Sequence, residues 1–254
     1  MRVCLRRFLS VFSLVSRIPV RTAFECDYAR ADFWLPIVGV FASAAALAGY
    51  GLASLVFASP LLRGLGALFV QYSAFNLFHL DGLLDSADAM TPYASRERRH
   101  EILKDPRIGS YALFYGFFAL AAKLAALASL GPPAILALFL AYPAAGRLGA
   151  ALLPALIGPA REGGLGALMR GLSPLRSALG FALALMPLLA WSAASGAGRT
   201  GLAAAACAIA GAAIGALWMA LLYRRKLGGF TGDALGAAVE LGELACVLLF
   251  AALA

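Results

Sequence analysis

Apolar positions run through this chain in stretches of about twenty residues, the length an α-helix needs to cross a hydrocarbon core, and the polar positions are confined to the short segments between them. Seven such stretches are readable, at roughly residues 35–59, 64–80, 109–130, 134–157, 177–195, 201–222 and 234–254. The second is short and admits continuation past His79, and the last carries Glu240 and Glu243 within it. The pattern predicts an all-α, polytopic integral membrane protein with about seven spans, six to eight by where the boundaries fall. Ahead of the first span, Leu5 to Arg17 places apolar residues at helical spacing between arginines and predicts a helix lying in the interface. Arg17-Ile18-Pro19 interrupts that run without a small-residue cleavage site, so a cleaved signal peptide is disfavoured.

Composition sharpens this picture. Hydrophobic residues make up 62% of the chain and charged ones 13%, with a mean hydropathy of +0.85, outside the range of soluble domains. The net charge of +8 does not indicate nucleic acid, because topology accounts for it. Arg2, Arg6, Arg7, Arg17, Arg21 and Arg30 precede the first span, and Arg96, Arg98, Arg99, Lys104 and Arg107 follow the second. Arg161, Arg170 and Arg176 follow the fourth, and Arg224, Arg225 and Lys226 the sixth. The opposite connections carry only Arg63 and Arg199, while Lys123 and Arg147 fall inside spans. By the positive-inside rule the N terminus is cytoplasmic, and an odd number of spans puts the C terminus outside. Cys4, Cys26, Cys207 and Cys246 are scattered and form no metal-ligand pair. Gly211 and Gly215 have the small-residue spacing of a close helix contact, within the chain or between copies in a homo-oligomer.

Against this background the stretch His79 to Asp88 stands out. Asp81, Asp85 and Asp88 are four and three residues apart and share one helical face. Three carboxylates so placed repel one another unless a cation lies between them, and hard oxygen donors select magnesium, manganese or calcium. Glu101 to Ser110 follows, with Lys104, Asp105 and Arg107 around breaks at Pro106 and Gly109. This is a segment able to hold phosphate, although composition alone favours a solvated linker into the third span. Near the C terminus Asp233, Glu240 and Glu243 again share a face. Ionisable groups within a span line a cavity or a functional path by default. For the two glutamates, pairing with Lys123 or Arg147 is the structural alternative.

His79 to Met90, the Lys104-Asp-Pro-Arg-Ile-Gly109 stretch and the Gly229-Phe-Thr-Gly-Asp-Ala-Leu-Gly236 stretch together resemble the cobalamin synthase family, the adenosylcobinamide-GDP ribazoletransferases. Arg17-Ile-Pro19 and Pro36-Ile-Val-Gly39 are similar to that family's N-terminal pattern, and the likeness runs over essentially the whole chain. Asn76-Leu-Phe78, Leu84 and Ala89 depart from it without removing an acidic position.

The resemblance implies one transmembrane transferase domain over residues 1–254, with a cytoplasmic or interfacial segment over 1–30 and an active-site loop region over 81–108. It implies the last step of nucleotide-loop assembly at the cytoplasmic face of the inner membrane. There adenosylcobinamide-GDP and α-ribazole, or its 5′-phosphate, give adenosylcobalamin or its 5′-phosphate plus GMP, with Mg2+ required. Asp81 and Asp85 are then expected to bind the metal, Asp88 to act as ligand or general base, and His79 to position a phosphate or the attacking hydroxyl. Lys104, Asp105 and Arg107 are expected at the diphosphate, and Asp233 with Glu240 at the metal site or the ribazole. Other magnesium-dependent membrane phosphotransferases and prenyltransferases also carry aspartate-rich helices, but no Asp-Gly-x-x-Ala-Arg run and no second aspartate motif occur here. A cation-coupled transporter is the non-enzyme alternative.

Overall fold

The computed structural model describes residues 3–20, 24–161 and 172–254, so Arg2, Arg21 and Arg170 of the charge pattern lie outside the described residues. The helix expected ahead of the first span is present as α1, Val3–Val15. It is tied to the segment that follows by Asp27, which accepts from Arg6 Nη2 at 3.1 Å and Arg7 Nε at 3.0 Å. Then come α2 (Ala31–Ser54), α3 (Pro60–Gln71), a π-helical turn at Tyr72–Asn76, α4 (Leu77–Ala89) and α5 (Arg96–Ile102). These are followed by α6 (Ser110–Ala128), α7 (Ala134–Leu156), α8 (Pro174–Ala184), α9 (Met186–Ser195), α10 (Gly198–Lys226) and α11 (Gly232–Leu253). Among the described residues there is no strand, only an isolated bridge between Pro159 and Phe230.

Among the described residues six helical units are long and apolar enough to span a bilayer: α2, α6, α7, the α8–α9 unit, α10 and α11. The second expected span differs from its reading as residues 64–80. The helical run is continuous from Pro60 to Ala89, long enough as a whole to return across the bundle, but the π turn divides it into pieces of 12 and 13 residues, each shorter than a span by itself. The fifth also divides, at Leu185, because Pro187 in the next turn has no N–H to continue the ladder. Residues 81–89 belong to α4 and 96–102 to α5, so the region expected as a loop over 81–108 is half helical.

α7 is the hub: 83% of its apolar window is buried inside the protein, against 28% for α6. α6 turns Leu113, Phe114, Phe117 and Phe118 outward, a lipid-facing surface. α7 packs against α2, α10 and α11, and α11 against α4. Gly211 and Gly215 spend their small-residue face within the chain, against Gly242 and Cys246 of α11, where an added Cβ would stand 2.6 Å from a backbone oxygen.

The basic segments meet at one end of the bundle. Ser173 N–H and Arg176 reach Asp32 at the start of α2. Arg224 Nη2 donates to Leu156 O at 2.7 Å, Ala160 N–H to Phe230 O at 2.9 Å, and Arg96 lies against Gly228. The alternation of charge along the chain thus corresponds to one shared face of the fold.

Candidate active site

At that end α4 presents its acids. Asp81, Asp85 and Asp88 line one wall of a cavity of about 260 Å3, and Lys104, Asp105 and Arg107 line the other. The face expected from the four- and three-residue spacing is therefore real, and the following segment folds back over it. Arg107 is held by Asp105, which accepts from Nη2 at 2.6 Å and Nε at 2.9 Å. Those hydrogen bonds lower the Asp105 carboxyl to about 2.

α11 brings a further carboxylate, Asp233, close enough to act on Asp85 though outside the cavity lining. α4 and α11 touch at glycine: a Cβ at Gly82 would lie 2.7 Å from Asp233 O and 3.1 Å from Gly236 Cα. Only bare backbone permits that approach. Thr231 caps α11, accepting from Ala234 N–H, and its hydroxyl donates to Asp233 Oδ2 at 3.1 Å, which fixes the acid in the first turn. Burial, and then the negative charges of Asp81, Asp233 and Asp88, push Asp85 up to about 7. Asp81, Asp85, Asp88 and Asp233 act on one another, a hard-oxygen donor set that a divalent cation would relieve, and Lys104 and Arg107 line the same cavity as the first three. Among the described residues no group of three or more His, Cys, Asp or Glu side chains is placed so that it could hold a metal ion. Magnesium suits such an open arrangement, since it takes one or two carboxylates and completes its shell with water and substrate phosphate.

The other expected residues divide. Asp88 lines the cavity, but both its oxygens accept backbone N–H groups, Gly109 at 2.7 Å and Ala112 at 3.0 Å. His79 is 3% exposed, and neither ring nitrogen has a hydrogen-bond partner among the described residues. It packs at the glycine crossing, where a Cβ on Gly236 would sit 3.2 Å from its Cα.

Glu240 does not line the cavity; it lies deeper, with Glu243, in a buried ion network. Lys123 Nζ donates to Glu240 Oε2 at 3.1 Å and Glu243 Oε2 at 3.0 Å, and Arg147 Nη1 to Glu243 Oε1 at 3.0 Å. Asn76 donates to both glutamates, at 2.9 and 3.0 Å. Tyr72 donates to Glu240, Gln71 to Glu243, and Tyr142 to Gln71. The pairing alternative read from the sequence describes both glutamates as they stand.

Gln71, Tyr72, Asn76 and Tyr142 are not legible as members of this network. Gln71 and Asn76 interrupt an apolar run, which is a signal, but at five residues apart they would diverge by about 140° on an α-helix. The π turn brings them onto one side, and Gln71 Nε2 donates to Asn76 Oδ1 at 3.3 Å. The same turn leaves Ala74 O to accept Arg17 N–H at 2.8 Å.

A family profile described as cobalamin-5-phosphate synthase matches residues 7–251. The chain is 34% identical to the adenosylcobinamide-GDP ribazoletransferase of Bradyrhizobium diazoefficiens over 94% of its own length and 91% of the relative's. It is 35% identical to that of Geobacillus kaustophilus, over 93% and 91%, and 36% identical to that of Citrobacter koseri, over 95% and 97%. No solved structure matches the chain.

Proposed function

The chain belongs to the cobalamin-5-phosphate synthase family, and from that premise we propose how its cavity carries out the transfer. The protein is a membrane transferase of cobalamin biosynthesis, an adenosylcobinamide-GDP ribazoletransferase. Adenosylcobinamide-GDP and α-ribazole, or its 5′-phosphate, are the substrates. A ribose hydroxyl oxygen bonds to the phosphorus that stays with the cobinamide, the bond from that phosphorus to the bridging oxygen breaks, and GMP leaves with the bridging oxygen and its own phosphate. The hydroxyl proton passes to a carboxylate oxygen of the cavity wall.

The observation that carries this reading is the opposition of Asp81, Asp85 and Asp88 to Lys104 and Arg107 across one small cavity at the basic end of the bundle. Lys104 and Arg107 bind the diphosphate oxygens and orient the phosphorus toward the acidic wall. Asp81 and Asp85, with Asp233 beside them, are the residues that would hold magnesium, which when bound neutralises phosphate charge and favours the ionised hydroxyl. The cavity lies at the end of the bundle where the basic segments gather, and one of those segments, with Lys104 and Arg107, lines it; this supports placement in the inner membrane with the cavity facing the cytoplasm.

The test is release of GMP from adenosylcobinamide-GDP by the purified protein in proteoliposomes, with and without Mg2+. Wild type is expected to release GMP only when the acceptor and Mg2+ are both present, and Asp85→Asn to lose at least about a hundredfold in kcat. Wild-type flux of a cation without GMP release would instead establish the transporter reading, and an unchanged Asp85→Asn rate would remove Asp85 from the site.

A further inference from the structure

Asp88 follows Asp85 by three residues and has the spacing of a third acid in the set, yet its carboxylate is committed to backbone. Oδ2 accepts Gly109 N–H at 2.7 Å and Oδ1 accepts Ala112 N–H at 3.0 Å. Gly109 is the N-cap of α6 and has no side chain with which to cap it. Asp88 therefore supplies, from α4, the acceptor that a serine or aspartate at position 109 would supply locally.

The contact as it stands leaves no room for a Cβ, so any larger residue displaces the Asp88 carboxylate. A Cβ at Gly109 would stand 2.5 Å from Asp88 Oδ1 and 2.8 Å from its Cγ. The other end of the same segment also returns to α4: the buried Arg99 donates through Nη1 to Ala89 O, and Leu103 N–H and Lys104 N–H bond back into α5. Residues 103–109, carrying Lys104 and Arg107, are thus strung between two attachments on the helix that bears Asp81 and Asp85.

We infer that Asp88 is a positioning residue, which latches the start of α6 and so sets the distance from the cationic loop to the Asp81–Asp85 wall. This rests on the reading of the cavity as the diphosphate site. Its consequence is that the tasks of metal ligand and proton acceptor fall to the other carboxylates.

Gly109→Ala separates the possibilities, because it disturbs the latch without altering any acid. With a positioning role, Gly109→Ala and Asp88→Asn behave alike. In metal-free protein, amide exchange at residues 109–112 accelerates by about ten- to a hundredfold, the range set by losing a charge-assisted hydrogen bond. In the transfer assay KM for adenosylcobinamide-GDP rises by a similar factor while kcat falls by less, and the Mg2+ concentration for half-maximal rate and the pH profile of kcat stay as in wild type. The inference is overturned if amide exchange is unchanged in both variants. It is also overturned if Gly109→Ala keeps wild-type KM, or if Asp88→Asn raises the Mg2+ requirement or removes a limb of the pH profile. A wild-type protein that releases no GMP would sink the reading of the site while leaving the exchange measurement to judge the latch.

Discussion

Glu243→Gln is the substitution for which the structure gives the clearest magnitude. Glu243 is fully buried and accepts from Lys123, Arg147, Asn76 and Gln71. With Glu240 it balances the two cations of the network, so neutralising it leaves one uncompensated positive charge in the bundle. It also turns an amide N–H2 toward donors. Breaking a buried pair from one side costs about 3–5 kcal/mol, a fall of roughly 10^2 to 10^4 in the folded-to-unfolded ratio. Adding Lys123→Met restores the balance, leaving Arg147 against Glu240. The double variant should therefore recover about 1–3 kcal/mol relative to the sum of the singles. Reversible unfolding in mixed lipid–detergent micelles, followed by circular dichroism on the four members of the cycle, measures both numbers. A Glu243→Gln protein within about 1 kcal/mol of wild type, or strictly additive effects, would refute the claim that these charges hold one another.

Two further outcomes follow from the site. Gly82→Ala places a methyl 2.7 Å from Asp233 O, so α4 and α11 must separate. Overpacking of this kind costs about 1–3 kcal/mol, and the transfer rate should fall by more than stability does, as Asp233 moves away from Asp85; unfolding and GMP release measured on one preparation compare the two losses, and an unaffected rate would deny the crossing any part in the site. Arg107 depresses the Asp105 carboxyl to about 2. A lowered acid pKa means the pairing is fully present above the usual carboxylate range and is lost as pH falls through about 2, so a carboxyl carbon resonance assigned to Asp105 should titrate with its midpoint near 2, and a midpoint at the ordinary carboxylate value of about 4 would show the pair to be open.

Much of this protein is present in its order of residues. Membrane-length apolar runs force helices, because a backbone in hydrocarbon must satisfy its own hydrogen bonds. The alternation of arginine-rich and arginine-poor connections marks the end at which the basic segments gather. The spacing of Asp81, Asp85 and Asp88 put those three acids on one face, since side chains three and four apart share a side of any α-helix. What that order does not contain is the partner of each group. The break of Pro60–Ala89 at a π turn decides that Gln71 and Asn76 meet, and it rests on contacts with residues more than a hundred and sixty positions away on α11. Glu240 and Asp233 sit on one helix two turns apart, yet one is sealed among Lys123, Tyr72 and Asn76 and the other stands beside the cavity acids, because the bundle's depth changes along α11. Asp88 has the sequence position of a ligand and the surroundings of a helix cap. Periodicity reports which residues share a face, and only packing sets what that face meets: in a low-dielectric interior, the nearest donor or charge decides what a carboxylate does.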